Sequence, residues 1–231
     1  MLCAVGTTPG ASAKRALIGR ALTNLRDRPL KQLATWAAAG AVVLSAPFGG
    51  WADAAKPPLP VLKVDTVITT GPLDVTLHRV TASTRPGEKF NESKDGQYLL
   101  VFGTVMNSGK ETLSNLELRD VVRLQGVDGL ERHPTGGAWL SADEAERATP
   151  TVYNAADSTT MATVVPELSY EVAWVFERRG EAAPSSVNVE VRGFTYRQRT
   201  LDDYTGWLDP TDLGHLRMPV TVKAPYEKPA T

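Results

Sequence analysis

The residues of this chain that could carry metal chemistry are few and widely spaced. Its three histidines are His78, His133 and His215, and its single cysteine, Cys3, lies near the start. Only His215 has a second soft ligand close by, because Met218 follows it by three positions. Imidazole nitrogen and thioether sulfur together suit Cu(I). His215 and Met218 are therefore the candidate metal ligands, and a periplasmic copper carrier is one alternative function, although such carriers normally gather several Met and His residues.

No sequence motif for catalysis is present. The Gly-x-Ser-x-Gly elbow, the His-Glu-x-x-His zinc helix, the phosphate-binding loop and the dinucleotide fingerprint are all missing from the sequence. The adjacent carboxylates Asp143-Glu144 and Asp202-Asp203 point to different faces of their elements, so they indicate solvated surface charge. We predict that the protein is not an enzyme and needs no cofactor. A hydrolase whose site is assembled from distant loops is the second alternative, with residues 135–157 as the place to look.

Three aromatic side chains stand out in irregular stretches. Phe90 is the lone aromatic residue of a polar loop over 84–94, and Trp139 and Tyr153 belong to the irregular segment over 135–157. Because aromatic side chains bury a large area, we expect Phe90 to tuck against the edge of the fold and Trp139 to plug its core. The alternative is that Phe90, Trp139 and Tyr153 contact a ligand or a partner.

The elements that must position these residues are organised around the stretch over 95–109. Asp95-Gly96 and Asn107-Ser108-Gly109 are turn signals, because Gly and Asn tolerate the positive φ that tight turns need. The residues between them are apolar on both faces of a strand: Tyr98, Leu100, Phe102 and Met106 on one, and Leu99, Val101 and Val105 on the other. This pattern predicts a central strand covered on each side rather than a short buried helix.

Other stretches alternate between apolar and polar residues, which is typical of half-buried strands. They cover residues 61–69, 73–82, 116–124, 161–165, 170–176 and 187–196. In the second of them the apolar phase slips by one position after Leu77, which predicts a β-bulge. In the third, Asp120 breaks the apolar face, so it either lies at a bulge or pairs with a nearby arginine.

Three short motifs predict how the chain turns between strands. Asp128-Gly129 predicts a two-residue hairpin. Ser141 and Glu144 fit a capping box at the start of a short helix in the 135–157 insertion. Asp209-Pro210 predicts a helical turn, with Asp209 as N-cap and Pro210 at the first helical position.

The segment over 96–111 resembles a known family. Its tyrosine, its hydrophobic strand and the following Asn107-Ser108-Gly109-Lys110-Glu111 are similar to bacterial Ig-like extracellular domains of unknown function, to which the mycobacterial immunoprotective extracellular antigen group is also similar. The resemblance covers about residues 61–193. It implies a β-sandwich outside the cytoplasm, and it implies no activity because the family has no agreed catalytic residues. Where the family has Pro-Gly, this chain has Asn154-Ala155-Ala156-Asp157.

Residues 1–54 have the pattern of an export signal. Six basic residues and one acidic residue are followed by an uncharged apolar run over 33–46, then by Pro47 and two glycines, and Asp53 is the second acidic residue of the segment. Ala52-Asp53-Ala54 supplies the small residues that signal peptidase needs. We predict a helical leader over 1–54 with Ala52 and Ala54 as the signal-peptidase site. The alternative is an uncleaved membrane anchor.

The remainder of the chain carries 19 basic and 24 acidic residues, which argues against nucleic-acid binding. We predict an all-β protein: an immunoglobulin-like antiparallel β-sandwich of about seven to eight strands over 61–199. A linker over 55–60 precedes it, and a partly disordered C-terminal extension over 200–231 follows it. The predicted function is a binding or structural role at the cell envelope, secreted or periplasmic. The partner would be an unknown envelope or extracellular macromolecule, and the membrane would be involved only through an uncleaved leader.

Overall fold

The computed structural model describes residues 57–93, 96–133, 137–180, 182–199, 203 and 205–228. The predicted leader over 1–54, with Ala52, Ala54 and Cys3, lies outside the described residues. The described residues from Pro58 onward belong to one compact unit. Its secondary structure is mostly strand, which confirms the predicted all-β class. Among the described helices, none has the length and apolar character that a bilayer crossing requires.

The described residues form twelve strands, one α-helix and one 3₁₀ helix. The strands are β1 (Ile68–Thr69), β2 (Leu73–Ser83), β3 (Gly96–Asn107), β4 (Leu113–Ser114), β5 (Val122–Gln125), β6 (Leu130–Glu131), β7 (Trp139–Leu140), β8 (Thr151–Asn154), β9 (Thr163–Val164), β10 (Ser169–Arg179), β11 (Ser186–Gln198) and β12 (Thr205–Val222). The α-helix, α1, is Asn115–Asp120, and the 3₁₀ helix is Ala142–Arg147.

Ten of these strands join in one curled sheet. Its order is β5-β11-β12-β2-β3-β10-β6-β7, with β1 beside β2 and β8 beside β10, while β4 and β9 form a separate pair. Strand β12 joins the two halves, because it pairs antiparallel with β11 and then parallel with β2 over residues 220–222. The inner faces of both halves contribute to a single hydrophobic core. The sheet therefore packs on itself as a β-sandwich.

The predicted central strand is confirmed. Strand β3 pairs with β2 on one side and with β10 on the other. Its inner residues, such as Leu99 and Val101, are fully buried in the core, and Leu100 on the outer face is buried as well. Strand β10 is also covered on both faces over part of its length, because Ala173 and Val175 are buried opposite the inner Trp174. The sequence predicted β10 only as half-buried.

The β-bulge predicted in β2 is also confirmed. Leu77 pairs with Gly103 and Arg79 pairs with Phe102, so His78 is the extra residue. A bulge of this kind turns a side chain that strict alternation would place on the other face.

The strand predicted over 116–124 is wrong in its first half, which is helix α1. The Ser114 hydroxyl caps this helix: it accepts the N–H of Leu116 at 3.2 Å and donates to the carboxylate of Glu117. Ser114 and Glu117 have the spacing of a capping box, although the Glu117 side chain contacts the serine hydroxyl instead of its backbone N–H. The second half is strand β5, and Asp120 pairs with Arg123, which confirms the second alternative given for that residue.

The hairpin predicted at Asp128-Gly129 is wrong. The chain does turn there, with φ of +67° at Gly126 and +77° at Gly129. However, β5 pairs with β11, and β6 pairs with β10 and β7. The turn therefore carries the chain from one half of the sandwich to the other instead of folding it back on itself.

The capping box predicted at Ser141 is wrong in its contacts, although a short helix does follow. The helix is 3₁₀, and the Ser141 hydroxyl donates to the Glu144 carboxylate at 3.2 Å rather than accepting a backbone amide. Glu144 in turn accepts from Arg147 at 2.8 Å. Local side-chain pairs therefore hold this turn.

The helical turn predicted at Asp209-Pro210 is wrong as well. Residues 205–222 form the longest strand of the described chain, so most of the segment expected to be an extension belongs to the sandwich. Leu216 and Met218 of this strand are buried in the core. Register shifts against β11 near Arg192 and Gly193 interrupt the alternation. This interruption removes the period-two pattern by which a strand is recognised in sequence.

Candidate ligand-binding site

Two central strands present apolar residues on the face that points away from the core. Leu100 of β3 and Ala173 and Val175 of β10 form a second, smaller hydrophobic cluster there. Four partly buried aromatic residues pack against this cluster: Phe90, Tyr98, Phe102 and Tyr153. We call this surface the outer face.

The loop after β2 folds back over the outer face. Ser93 N–H donates to Thr84 O at 2.9 Å, which closes the loop at its base, and Arg85 Nε donates to Phe90 O at 3.3 Å. The ring of Phe90 lies 5.6 Å from that of Tyr98 and 4.9 Å from that of Tyr153, measured between centroids. Both pairs are tilted or edge-to-face, as aromatic pairs prefer. The structure thus brings together Phe90 and Tyr153, two of the three predicted contact residues.

A cavity of about 170 Å³ opens between this loop and the sheet. It is lined by Lys89, Phe90, Asn91, Tyr98, Glu131, Thr149, Thr151, Tyr153, Val175 and Glu177. We call it the outer-face pocket. Pockets for drug-sized molecules usually measure about 300–1,000 Å³. This one therefore suits a single head group or side chain.

Two carboxyl groups meet in the outer-face pocket. Leu130 pairs with Arg178 across β6 and β10, so Glu131 lies beside Glu177, and both side chains line the cavity. Burial raises the pKa of Glu177 above its ordinary value of 4.5, and the neighbouring Glu131 raises it further. One shared proton stabilises such a pair, and two full negative charges repel.

The phenol groups of the pocket stay neutral near pH 7. Burial raises the pKa of Tyr98 above 10.0, with smaller contributions from the charge of Glu177 and from Tyr153. Burial also raises the pKa of Tyr153. Both rings therefore keep a hydroxyl that can donate a hydrogen bond to a ligand or to a carboxylate.

The one basic residue that lines the pocket is held by another partner. Lys89 Nζ donates to the backbone oxygen of Asp157 at 2.8 Å, in the turn after β8. The side chain of Asp157 accepts from the Thr159 hydroxyl at 2.6 Å and from its N–H at 2.9 Å, and these bonds lower the pKa of Asp157. The turn and the loop are thus tied together at the rim of the pocket.

Trp139 does not plug the core, so that expectation is wrong. The residue is 42% exposed. It pairs with Glu131 across the two-residue strands β6 and β7, at the end of the sheet order, where little chain is available to cover it. It does not line the outer-face pocket.

His215 and Met218 do not form a metal site, and that prediction is also wrong. Residues three apart in a strand lie on opposite faces. Met218 is 1% exposed and belongs to the core, whereas His215 pairs with Glu190 on the polar face of β12. Across the described ranges, no three His, Cys, Asp or Glu side chains are grouped to hold a metal ion.

A hydrogen-bonded chain of an acid, an imidazole and a hydroxyl was not expected from the sequence. His78 Nδ1 lies 2.6 Å from Asp65 Oδ1, and His78 Nε2 lies 2.8 Å from Thr104 Oγ1. The bulge in β2 turns His78 toward Thr104, which explains why two residues 26 positions apart meet. The order of groups matches that of a nucleophilic triad. However, the side chain of Asp65 is 70% exposed and that of His78 is 36% exposed, so water is not kept out.

A comparison with protein-family models found no match, and a comparison with curated proteins found none either. Among solved structures, the chain is similar to an uncharacterized β-sandwich protein from Clostridium difficile 630. The identity is 8%, the match covers 72% of this chain and 99% of that chain, and the TM-score is 0.43. A likeness this distant carries no functional argument, and the fold rests on the strand pairing described above. The comparisons give no support to membership of the mycobacterial antigen group.

Proposed function

We propose that this chain is an exported, non-enzymatic β-sandwich that binds another macromolecule at the cell envelope through the outer-face pocket. The observation that carries the proposal is the cavity of about 170 Å³ in which three aromatic rings and two carboxyl groups meet. The lining combines aromatic rings, which supply apolar contact area, with polar side chains, which can orient a ligand. The sequence supports export, because the predicted leader ends in Ala52-Asp53-Ala54, a candidate signal-peptidase site.

The polar groups of the pocket are placed to hold a ligand. Glu131 and Glu177 lie on the paired strands β6 and β10, and both line the cavity. Tyr98 and Tyr153 line the same cavity and keep hydroxyl groups that can donate a hydrogen bond. Charge and hydrogen bonds at these positions would orient a ligand against the aromatic rings.

Export is tested by fractionating cells that express the full chain and by measuring the intact mass of the protein. The expected result is an extracytoplasmic protein that begins at residue 55. A cytoplasmic protein with residues 1–54 still attached contradicts this part of the proposal.

Binding is tested by titrating washed cell envelopes with labelled protein. Tyr153→Ala removes one wall of the pocket, and we expect it to lower envelope binding by about tenfold, as at an interface hot spot. Tyr196→Ala is the matched control, because it removes an exposed tyrosine of β11 that does not line the pocket. Equal binding by the Tyr153 variant and the wild type, with both folded, counts against the pocket as the contact site.

A hydrolase is the second candidate function, and the hydrogen-bonded chain of Asp65, His78 and Thr104 favours it. Its place differs from the 135–157 insertion expected from the sequence. The assay is labelling with a fluorophosphonate reagent, followed by intact mass and peptide mapping. Labelling of Thr104 that disappears in His78→Ala supports a hydrolase. No labelling at Thr104 supports a structural role, in which His78 ties the segment that carries Asp65 to the sheet.

A further inference from the structure

We infer that the outer-face pocket selects a monovalent organic cation, an alkylammonium or guanidinium group. The group would come either from a free amine or from a Lys or Arg side chain of a polypeptide. The inference rests on the function proposed above, since it names the ligand class of the same pocket. It does not require export or a particular partner.

The pocket holds more acidic than basic groups. Glu131 and Glu177 both line it, and Lys89 is the one basic residue among the lining residues. Lys89 Nζ donates to the backbone oxygen of Asp157 at 2.8 Å, at the rim of the pocket. A ligand cation would allow both carboxyl groups to ionise, because it supplies a second positive charge beside that of Lys89.

The aromatic side chains of the pocket also favour a cation. Phe90, Tyr98 and Tyr153 line the same cavity as the two carboxyl groups. Aromatic rings attract cations through the ring quadrupole, and the attraction is larger when the cation is partly removed from water. Ammonium and guanidinium groups on an alkyl stem also bury apolar surface against such rings. A neutral ligand of the same shape would gain the burial but not the charge interaction.

The pocket suits a divalent metal ion less well than an organic cation, because it offers few oxygen ligands. Calcium takes about six to eight oxygen ligands, and magnesium keeps several waters in an octahedral shell. The pocket offers two carboxyl groups and a few hydroxyls, and one wall is made of hydrocarbon rings that cannot replace water. Its volume of about 170 Å³ fits a head group with a few methylenes.

The test is calorimetric titration of the full chain at pH 7 and low salt with four probes. Butylammonium is compared with neutral 1-butanol, and acetyl-Gly-Lys-Gly-amide is compared with acetyl-Gly-Gln-Gly-amide. The expected result is saturable binding of the cationic member of each pair and at least about tenfold weaker binding of the neutral member. Binding of both cations means that the head group suffices. Binding of the lysine peptide alone identifies a polypeptide as the source, and binding of butylammonium alone identifies a free amine.

Glu177→Gln is expected to weaken cation binding by about tenfold or more, because it removes one of the two charges. Glu171→Gln is the matched control on the same strand, since Glu171 is exposed and pairs with Thr104 rather than lining the pocket. Thermal melts of both variants confirm that they are folded. If the two substitutions lower the affinity equally, the charge pair is not the determinant and the inference is overturned.

The pH dependence gives a second readout. The charged and titratable groups that face Glu177 are Glu131 on β6, Tyr98 on β3, Tyr153 on β8 and Lys89 in the loop. Cation binding favours the ionised pair, so protons are released and affinity rises as the pH increases from about 4 toward 7. This slope should become smaller in Glu177→Gln, because one of the two carboxyl groups remains. Affinity that does not change over this range in the wild type overturns the inference.

The inference and the proposed function can fail separately. Equal binding of butylammonium and 1-butanol overturns the cation inference and leaves the pocket as a binding site. Binding of CaCl₂ but of none of the four probes also overturns it. If no probe binds but Tyr153→Ala still lowers envelope binding, the ligand class is wrong and the proposed function stands.

Discussion

Asn107 is expected to be one of the most sensitive positions of the fold. Its side chain is fully buried at the end of β3 and makes three hydrogen bonds. The Nδ2 group donates to Glu111 O at 2.8 Å and to Val164 O at 2.9 Å, and Oδ1 accepts the Gly109 N–H at 2.9 Å. These bonds join β3, the turn that follows it and β9.

The cost of Asn107→Ala follows from these three bonds. The bond to Val164 is buried, so its loss leaves a carbonyl oxygen without a partner at about 1–3 kcal/mol. The two partly exposed bonds contribute about 0.5–1.5 kcal/mol each. We therefore expect the free energy of unfolding to fall by about 3 kcal/mol, which corresponds to a drop in Tm of about 6–12 °C for a domain of this size.

The assay is equilibrium unfolding in urea, followed by tryptophan fluorescence, since Trp174 lies in the core. Asn154→Ala is the control, because that side chain accepts a single exposed bond from Ala156 at 2.9 Å. Its expected cost is about 0.5 kcal/mol. A cost for Asn107→Ala within error of that for Asn154→Ala would refute the reasoning.

A second variant, Asn107→Asp, separates the donor bonds from the acceptor bond. Aspartate keeps the acceptor for Gly109, but an ionised carboxylate faces two carbonyl oxygens that need a donor. The folded state should therefore raise the pKa of this aspartate. Stability relative to the wild type should improve as the pH is lowered through that raised pKa, because the protonated carboxyl group can donate one bond.

Three further predictions concern the turn between the halves, the pocket and the core. Gly126→Ala should lower the free energy of unfolding by about 1 kcal/mol because of its positive φ alone. Gly129→Ala should lower it by about 3 kcal/mol, because its Cβ would also meet a backbone oxygen at 2.6 Å. Urea unfolding of both variants measures the difference. Glu177→Gln should be more stable than the wild type at pH 7, since ionisation of a group with a raised pKa destabilises the fold. The difference should shrink as the pH falls toward 4.5, which thermal melts over pH 4–7 can follow. Trp174→Phe should cost about 2 kcal/mol in urea unfolding, because it removes the bond of 2.8 Å from Nε1 to the buried carbonyl of Leu118.

The strands with regular alternation could be predicted from the sequence, and so could one irregularity. The apolar faces of β3 and the slip after Leu77 are both local patterns, so no knowledge of distant residues was needed. Helix α1 was also accessible, because Ser114 and Glu117 have the spacing of a capping box. The apolar Leu116 and Leu118 instead suggested a strand, since residues two apart share a face in a strand. Leu116 is in fact exposed on the helix.

The errors elsewhere arise from long-range pairing. Asp128-Gly129 correctly predicts a turn. However, the flanking strands β5 and β6 do not pair with each other, because β5 pairs with β11 and β6 pairs with β10. Strand β12 is recognised by its pairing with β11, since the register shifts hide its alternation. A local pattern cannot decide which of two partners a strand will choose.

The aromatic half of the site could be predicted from the sequence, but the carboxyl pair could not, because the pair depends on long-range pairing. Phe90 and Tyr153 were candidates because each is an aromatic residue in an irregular stretch. Glu131 and Glu177 are 46 positions apart in the sequence and become neighbours only through the pairing of Leu130 with Arg178. In the sequence, each is one of 26 acidic residues, and nothing distinguishes it from surface charge.

The outer-face pocket lies where the apolar patch on the outer face of the sheet is only partly covered. Leu100, Ala173 and Val175 place apolar surface on the side of the sheet that would otherwise face water, and the 84–93 loop covers them. The cover brings three rings together at interplanar angles of 54° and 62°. The same three rings line the cavity of about 170 Å³, so the cover does not fill all the space over the sheet.

A cover that served only to bury this apolar patch would need no acidic residue beneath it. Removing a carboxyl group from water costs free energy, and placing two side by side raises that cost. Burial and the charge of Glu131 both raise the pKa of Glu177. Burial of the apolar patch therefore does not explain the carboxyl pair, whereas the cationic ligand proposed above does. This is the physical ground on which we propose that the pocket binds a ligand.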